Sequence, residues 1–215
     1  MTTSRKKKGA ESTLLVLVVD RSGSMESIRE DMEGGIATLL SEQAEESGSC
    51  VVTLAQFDNV YELVADEVSV AELTTYRLVP RGSTALLDAL GRTISHVRAR
   101  VEVLDPAERP GDIVVAVVTD GLENASTEWS HLQVMDSVKA RIDEGWHFTF
   151  LGANQDAIEE GRSMGVAAES SLNYAATPDG TREAMSSTSA TMRRMRRGES
   201  RSLEYTQDER RRSAG

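Results

Sequence analysis

Two short apolar runs, each closing on an aspartate, constrain this chain more than anything else in it. Leu14-Leu15-Val16-Leu17-Val18-Val19 runs into Asp20, and Ile113-Val114-Val115-Ala116-Val117-Val118 runs through Thr119 into Asp120-Gly121. A short apolar run with no polar break reads as a strand buried on both faces, the signature of a parallel sheet covered by helices. Asp20 and Asp120 then stand where the chain leaves the C-terminal ends of two such strands, the place where open α/β sheets bind ligands. Ser22 and Ser24 follow Asp20 at alternate positions. Oxygen side chains at i, i+2 and i+4 can converge on one hard cation.

The rest of the chain supplies the helices and outer strands that such a sheet needs. Met25, Ile28, Met32, Ile36, Leu39 and Leu40 fall at helical spacing, and Gly48 ends that helix. Cys50 to Phe57 reads as a strand, Asp58-Asn59 as a turn and Val60 to Val68 as a second strand. So tight a turn implies an antiparallel pair, hence one antiparallel edge strand. Leu86, Leu87, Leu90, Ile94, Val97 and Val101 mark the next helix, and Pro106 and Pro110 bound a loop. After the second apolar run, Trp129, Leu132, Met135, Val138 and Ile142 give another helix, and Trp146 to Leu151 another strand. Asn154 reads as the N-cap of a short helix to Met164. Ser171 to Tyr174 is a weak last strand, and Thr177-Pro178 opens a helix to about Met195. Alternating strands and helices specify a doubly wound α/β domain, with a mostly parallel six-stranded sheet and helices on both faces. The domain is expected over residues 13–197, between a disordered basic stretch, 1–12, and a disordered charged tail, 198–215.

Arg81-Gly82-Ser83-Thr84 adds a hydroxyl just before the apolar-periodic helix that begins at Leu86. Asp20-x-Ser22-x-Ser24, then a distant Thr84, then Thr119-Asp120-Gly121 closing a hydrophobic strand, resembles the von Willebrand factor type A domain and its metal-ion-dependent adhesion site. The Asp-x-Ser-Gly-Ser-Met wording, met here at 20–25, is the form common among bacterial members. The resemblance covers roughly Ser12 to Tyr174. It implies the strand order 3-2-1-4-5-6, with direct metal ligation by Ser22, Ser24 and Thr84. It also implies that Asp20 and Asp120 act mostly through bridging water. Oxygen-only ligands favour Mg²⁺, or Mn²⁺, over zinc or copper. An ion held this way seeks an anionic oxygen, such as a partner protein's Asp or Glu. The implied function is therefore a non-enzymatic, metal-dependent binding module or adaptor, by analogy one working beside an AAA-type ATPase. A metal-dependent phosphoester hydrolase using the same ion and an idle structural homologue are the alternatives. Taken singly, each of these residues could be a turn acid or a helix cap. Asp88 could orient ligands or be a solvated helix acid, and Glu123 and Asn124 read as surface loop residues that could rim the site.

Composition narrows the rest. Residues 1–12 carry four basic and one acidic side chain and residues 193–215 eight Arg and four acids, so residues 13–192 hold −18 against a whole-chain charge of −11. An acidic body argues against nucleic acid as a partner of the fold. The run Met192-Arg193-Arg194-Met195-Arg196-Arg197 reads as a solvated helix end, with an arm for nucleic acid or an acidic partner as the alternative. The single cysteine, Cys50, forms no intramolecular disulfide and reads as a core residue. No signal-peptide core or membrane-spanning run is present, and a cytoplasmic protein is expected. There is no Gly-x-x-x-x-Gly-Lys phosphate cradle, Asp20-Arg21-Ser22 lacks the second acid of an aspartate-nucleophile phosphatase, and His96, His131 and His147 have no ligand spacing.

Overall fold

The computed structural model describes residues 12–153 and 156–215. β1 (Ser12–Asp20) lies at the centre of a six-stranded sheet, flanked in parallel by β2 (Ser49–Phe57) and β4 (Asp112–Thr119). β5 (His147–Ala153) and β6 (Ser171–Tyr174) continue the sheet in parallel beyond β4, and β3 (Tyr61–Ser69) closes the other side antiparallel to β2. The order is β3-β2-β1-β4-β5-β6, five parallel strands and one antiparallel edge. This is the architecture and order expected from the sequence.

Strand alternation divides the core in two. Leu15, Leu17 and Val19 of β1 and Val114, Ala116 and Val118 of β4 face one side, against α1 (Arg29–Ala44) and α5 (Pro178–Arg196). Leu14, Val16, Val18, Ile113, Val115 and Val117 face the other. There α2 (Leu86–Glu102), α3 (His131–Asp143) and α4 (Ala157–Ser163) contribute the second layer. Two glycines permit close contacts within the helical layers: a Cβ on Gly35 of α1 would meet Met185 of α5 at 2.5 Å, and one on Gly91 of α2 would meet Trp129 at 2.1 Å. Cys50 is buried in the first core, and burial raises its thiol pKa. No helix among the described residues is long and apolar enough to cross a membrane.

Two local expectations shift. Residues 23–28 form a 3₁₀ turn before α1, not the first turn of the helix. Asn154, with residues 1–11, lies outside the described residues, and the side chain capping α4 is that of Asp156, which accepts from Glu159 N at 3.1 Å.

The larger correction concerns 198–215, expected to be a disordered tail. These residues fold back over the sheet. Leu203 and Tyr205 enter the first core, and α6 (Gln207–Ala214) follows behind a capping box of Thr206 and Glu209. The Tyr205 hydroxyl lies 2.7 Å from Thr149 Oγ1 and 2.9 Å from Thr188 Oγ1. Arg210 donates to the carbonyls of Ser171, Ala168 and Glu169, and Ala175 N to Ser213 O, so α6 covers the β6 edge. The arginine run is likewise used within the chain: Arg193 faces Glu42, Arg194 pairs with Glu209, Arg196 donates to the Gln43 carbonyl and Arg197 pairs with Glu46. Charge count hid the two apolar anchors, whereas Thr206-x-x-Glu209 is a legible capping signal.

Tyr205→Ala should cost about 3–5 kcal/mol of unfolding free energy in denaturant titration, the usual range for deleting a large buried ring. A loss below about 0.5 kcal/mol, the surface range, would place the segment outside the core. Glu209 supplies a pH dependence. Burial raises its pKa, but the hydrogen bonds from Arg194 and Thr206 outweigh that and leave it below the ordinary carboxyl value. A depressed acid stabilises above its unfolded pKa and loses that contribution as pH falls through the folded one. Hydrogen-exchange protection of α6 should therefore fall on acidification below about pH 4.5 and become insensitive to that change in Glu209→Gln.

Candidate metal centre

Because β1 and β4 are parallel neighbours in register, with Val19 opposite Val118, their C-terminal ends lie side by side. That pairing brings the Asp20 and Asp120 loops together. Thr119, read from sequence only as part of the strand end, makes the link: its hydroxyl donates to Asp20 Oδ2 at 2.6 Å and accepts from Gly121 N at 3.1 Å. The other Asp20 oxygen accepts from Ser22 N at 2.6 Å. The hydroxyls of Ser22 and Ser24 lie 3.1 Å apart, and Ser24 Oγ donates to Asp120 Oδ1 at 2.6 Å. Thr84 joins from a third loop. A Cβ placed on Gly121 would lie 2.9 Å from Thr84 Oγ1 and 3.8 Å from both Asp20 Oδ2 and Ser22 Oγ. The five side chains singled out in the sequence thus form one cluster: hydrogen bonds link Asp20, Ser22, Ser24 and Asp120 in series, and Thr84 Oγ1 joins Asp20 and Ser22 within 4 Å of where a Cβ on Gly121 would stand.

The hydroxyls are not spent on helix capping. Ser22 precedes the 3₁₀ turn without a side-chain cap bond, and the N-cap of α2 is Ala85, which has no side-chain acceptor. Other residues serve the free N–H groups of α2. Glu123 Oε2 accepts from Leu87 N at 2.9 Å, and Ser126 Oγ accepts from Asp88 N at 3.0 Å. Glu123 also accepts from Ala125 N and Ser126 N, tying its own loop. Asn124 holds the Thr84 backbone from both sides: its Oδ1 accepts from Thr84 N at 2.9 Å, and its N–H donates to Thr84 O at 3.0 Å. Asp88, half-buried at the start of α2, is used by the main chain. Its carboxylate accepts the N–H groups of Thr127, Glu128 and Trp129 and so anchors the 121–130 loop to α2. None of the site's hydrogen bonds involves a histidine: His96 lies 2.9 Å from Asp66, and His147 lies 3.8 Å from Asp112.

The electrostatics call for a positive charge. Asp20 is fully buried, and loss of hydration pushes its pKa up to about 6, against the lowering bonds from Thr119 and Ser22 and with a further rise from Asp120. Burial also raises Asp120. Among the described residues no Lys or Arg pairs with either acid; Arg21, beside them in sequence, turns away to Asp58 and Glu62. A buried carboxylate with only neutral partners is an unfavourable arrangement unless a cation joins it.

The donor set fits a hard divalent ion. It offers two carboxylates and three hydroxyls with no sulfur or imidazole, the oxygen-only chemistry of Mg²⁺ and Mn²⁺. No group of three or more His, Cys, Asp or Glu gathers for a metal among the described residues, so any such ion here would depend on the hydroxyls.

No protein-family model and no curated protein matches this chain. Solved structures do. Proximal thread matrix protein 1 from the mussel byssus aligns with a TM-score of 0.61 at 17% identity, over 85% of this chain and 46% of that one. A second structure of that protein, described as having a zinc-occupied MIDAS motif, aligns with a TM-score of 0.60 at 16% identity, over 86% of this chain and 46% of that one. The vWF domain of the type V pili tip protein Mfa5 from Porphyromonas gingivalis aligns with a TM-score of 0.64 at 10% identity, over 84% of this chain and 95% of that one. The chain thus spans less than half of the mussel protein and nearly all of the pilus-tip domain. At these identities the likeness is one of fold, and the fold is that of a von Willebrand factor type A domain.

Gly121→Ala tests the cluster with a single methyl group. The added Cβ displaces the Thr84 hydroxyl while leaving both cores untouched. Mg²⁺ affinity in isothermal titration calorimetry should fall by about tenfold or more, the scale on which supporting residues act at metal sites, with the unfolding midpoint in chelator nearly unchanged. Equal affinity in the variant would show that these oxygens do not share a cation.

Proposed function

We propose that this von Willebrand A fold is a protein-binding module whose grip on its partner runs through a divalent cation, Mg²⁺ or Mn²⁺, held by Asp20, Ser22, Ser24, Thr84 and Asp120. One observation carries the reading: three hydroxyls left free of helix capping gather beside a buried aspartate that has no positive partner among the described residues. A cation bound there would supply a Lewis-acidic centre for an anionic oxygen, which in a partner protein means an Asp or Glu side chain.

The chain's own residues provide the rest. Thr119 orients Asp20, Asn124 fixes the Thr84 backbone, and Glu123 and Asp88 hold the loop that completes the rim. Both acids of the cluster accept hydrogen bonds in this arrangement, Asp20 from Ser22 N and Asp120 from Ser24 Oγ. That favours binding over hydrolysis, which needs a base free to activate water. The neighbours named above are a byssus thread matrix protein and a pilus tip protein, neither described as an enzyme. A zinc-occupied site in the mussel protein supports a divalent ion as the class of ligand, and the oxygen-only donors here favour magnesium or manganese. An AAA-type ATPase as the partner is the specific form of the proposal that the sequence resemblance suggests.

Asp20→Ala should abolish Mg²⁺ binding in calorimetry while the variant stays folded by circular dichroism. Affinity capture with the wild-type chain should retain a protein in Mg²⁺ that is lost in chelator and in Asp20→Ala. Unchanged Mg²⁺ affinity in the variant would remove the site assignment. Capture that is identical with and without chelator would remove the metal from the binding mechanism.

A further inference from the structure

Arg21 lies between two of the proposed ligands, yet its side chain points away from them and is 5% exposed. Its Nε donates to Asp58 Oδ2 at 3.2 Å and its Nη1 to Glu62 Oε2 at 2.5 Å, while its buried Nη2 has no partner. The same Asp58 oxygen accepts from Arg81 Nε at 2.6 Å. Asp58 is itself 1% exposed, and its other oxygen accepts from Val60 N at 2.5 Å, closing the β2–β3 turn.

Main-chain bonds follow the same path. Arg21 N donates to Phe57 O at 2.7 Å, Arg81 N to Arg21 O at 2.8 Å, Ala85 N to Asp58 O at 3.0 Å and Gly23 N to Gly82 O at 3.3 Å. Gly82 is held in the left-handed region, at φ 68°, with Asn59 Oδ1 where a Cβ would stand. Three segments therefore meet at one carboxylate: 20–24, which carries Ser22 and Ser24; 57–60; and 79–85, which carries Thr84.

We infer that Asp58 is a positioning residue for the cation site, setting the separation between the Ser22–Ser24 loop and Thr84 by clamping Arg21 and Arg81 together. The inference rests on the site reading proposed above. A buried ion pair is a poor source of net stability, because dehydration of both charges offsets their attraction. What it provides is direction: removing Asp58 would leave the buried Arg21 without its inner partner and the 79–85 loop without the Arg81 tie to the β2–β3 turn. Arg81 separates placement from stability. Its side chain is 57% exposed while Asp58 is buried, so removing it deletes little packing and leaves Asp58 paired with Arg21, yet it is a side chain through which Asp58 holds the Thr84 loop.

The test compares the wild type with Arg81→Ala, Arg81→Lys and Asp58→Asn. Mg²⁺ is titrated by calorimetry, thermal midpoints are read in chelator, and exchange of the Ala85 amide is followed in the metal-free protein. Arg81→Ala should lower its midpoint less than Asp58→Asn does, because Asp58 keeps its bond to Arg21. It should weaken Mg²⁺ by about tenfold and speed exchange at Ala85. Arg81→Lys, which keeps the charge opposite Asp58, should recover part of both losses. Asp58→Asn should weaken Mg²⁺ further and lower the midpoint as well, since it leaves Arg21 buried beside a neutral amide.

A wild type that binds Mg²⁺ and an Arg81→Ala that binds it equally would overturn the clamp and leave the site standing. Unchanged protection at Ala85 would also overturn it. A wild type that binds neither Mg²⁺ nor Mn²⁺ overturns the site reading itself, and the clamp's role in it, whatever the exchange data show.

Discussion

The parallel pairing of β1 with β4 is the constraint from which the rest of the molecule follows. Both strands are uninterrupted apolar runs, so both must be covered on two faces, and five helices supply the cover. Parallel strands in register end at the same level, so the first polar residue after each run emerges next to the other. The Thr119 hydroxyl reaching Asp20 is the direct product of that geometry. Without it, a fully buried carboxylate would lose one of its two neutral donors and much of the reason for its orientation.

Placing an acid there is unfavourable by itself. Its raised pKa records the loss of hydration, and the neighbouring Asp120 adds to it. The surrounding loops do not relieve this with a protein cation; they direct Arg21 elsewhere and leave hydroxyls facing the acid. They also free those hydroxyls by meeting the capping needs of α2 with Glu123 and Ser126, residues from the loop after β4. One local choice therefore satisfies two demands: a helix start is capped from outside, and a ring of neutral oxygens stays available.

The element order was legible because the periodicities are strong and the punctuation is clear: Asp58-Asn59 for the hairpin, Thr177-Pro178 for the start of α5. The strand order was not readable from periodicity and came from the resemblance carried by residues 20–25, 84 and 119–121. The C-terminal segment was misread because net charge dominated the reading of 198–215. Leu203 and Tyr205 are only two apolar residues among many charges, yet two anchors suffice when a sheet edge and a threonine pair await them. Asp88, Asn124 and Thr119 show the same limit from the other side. Their partners are backbone groups or side chains from segments distant in sequence, and no local pattern announces those contacts.

The sequence by itself determined that this chain would build a helix-covered parallel sheet with acids and hydroxyls at the ends of its central strands. Apolar period and polar punctuation are local properties, and they survive without knowledge of neighbours. Only the tertiary structure decided that Asp20 would be buried with no Lys or Arg paired to it among the described residues, that the hydroxyls would escape capping, and that Asp58 would join three loops. Burial and hydrogen-bond competition depend on which segments meet, and the meeting is set by strand order, a property of the whole chain.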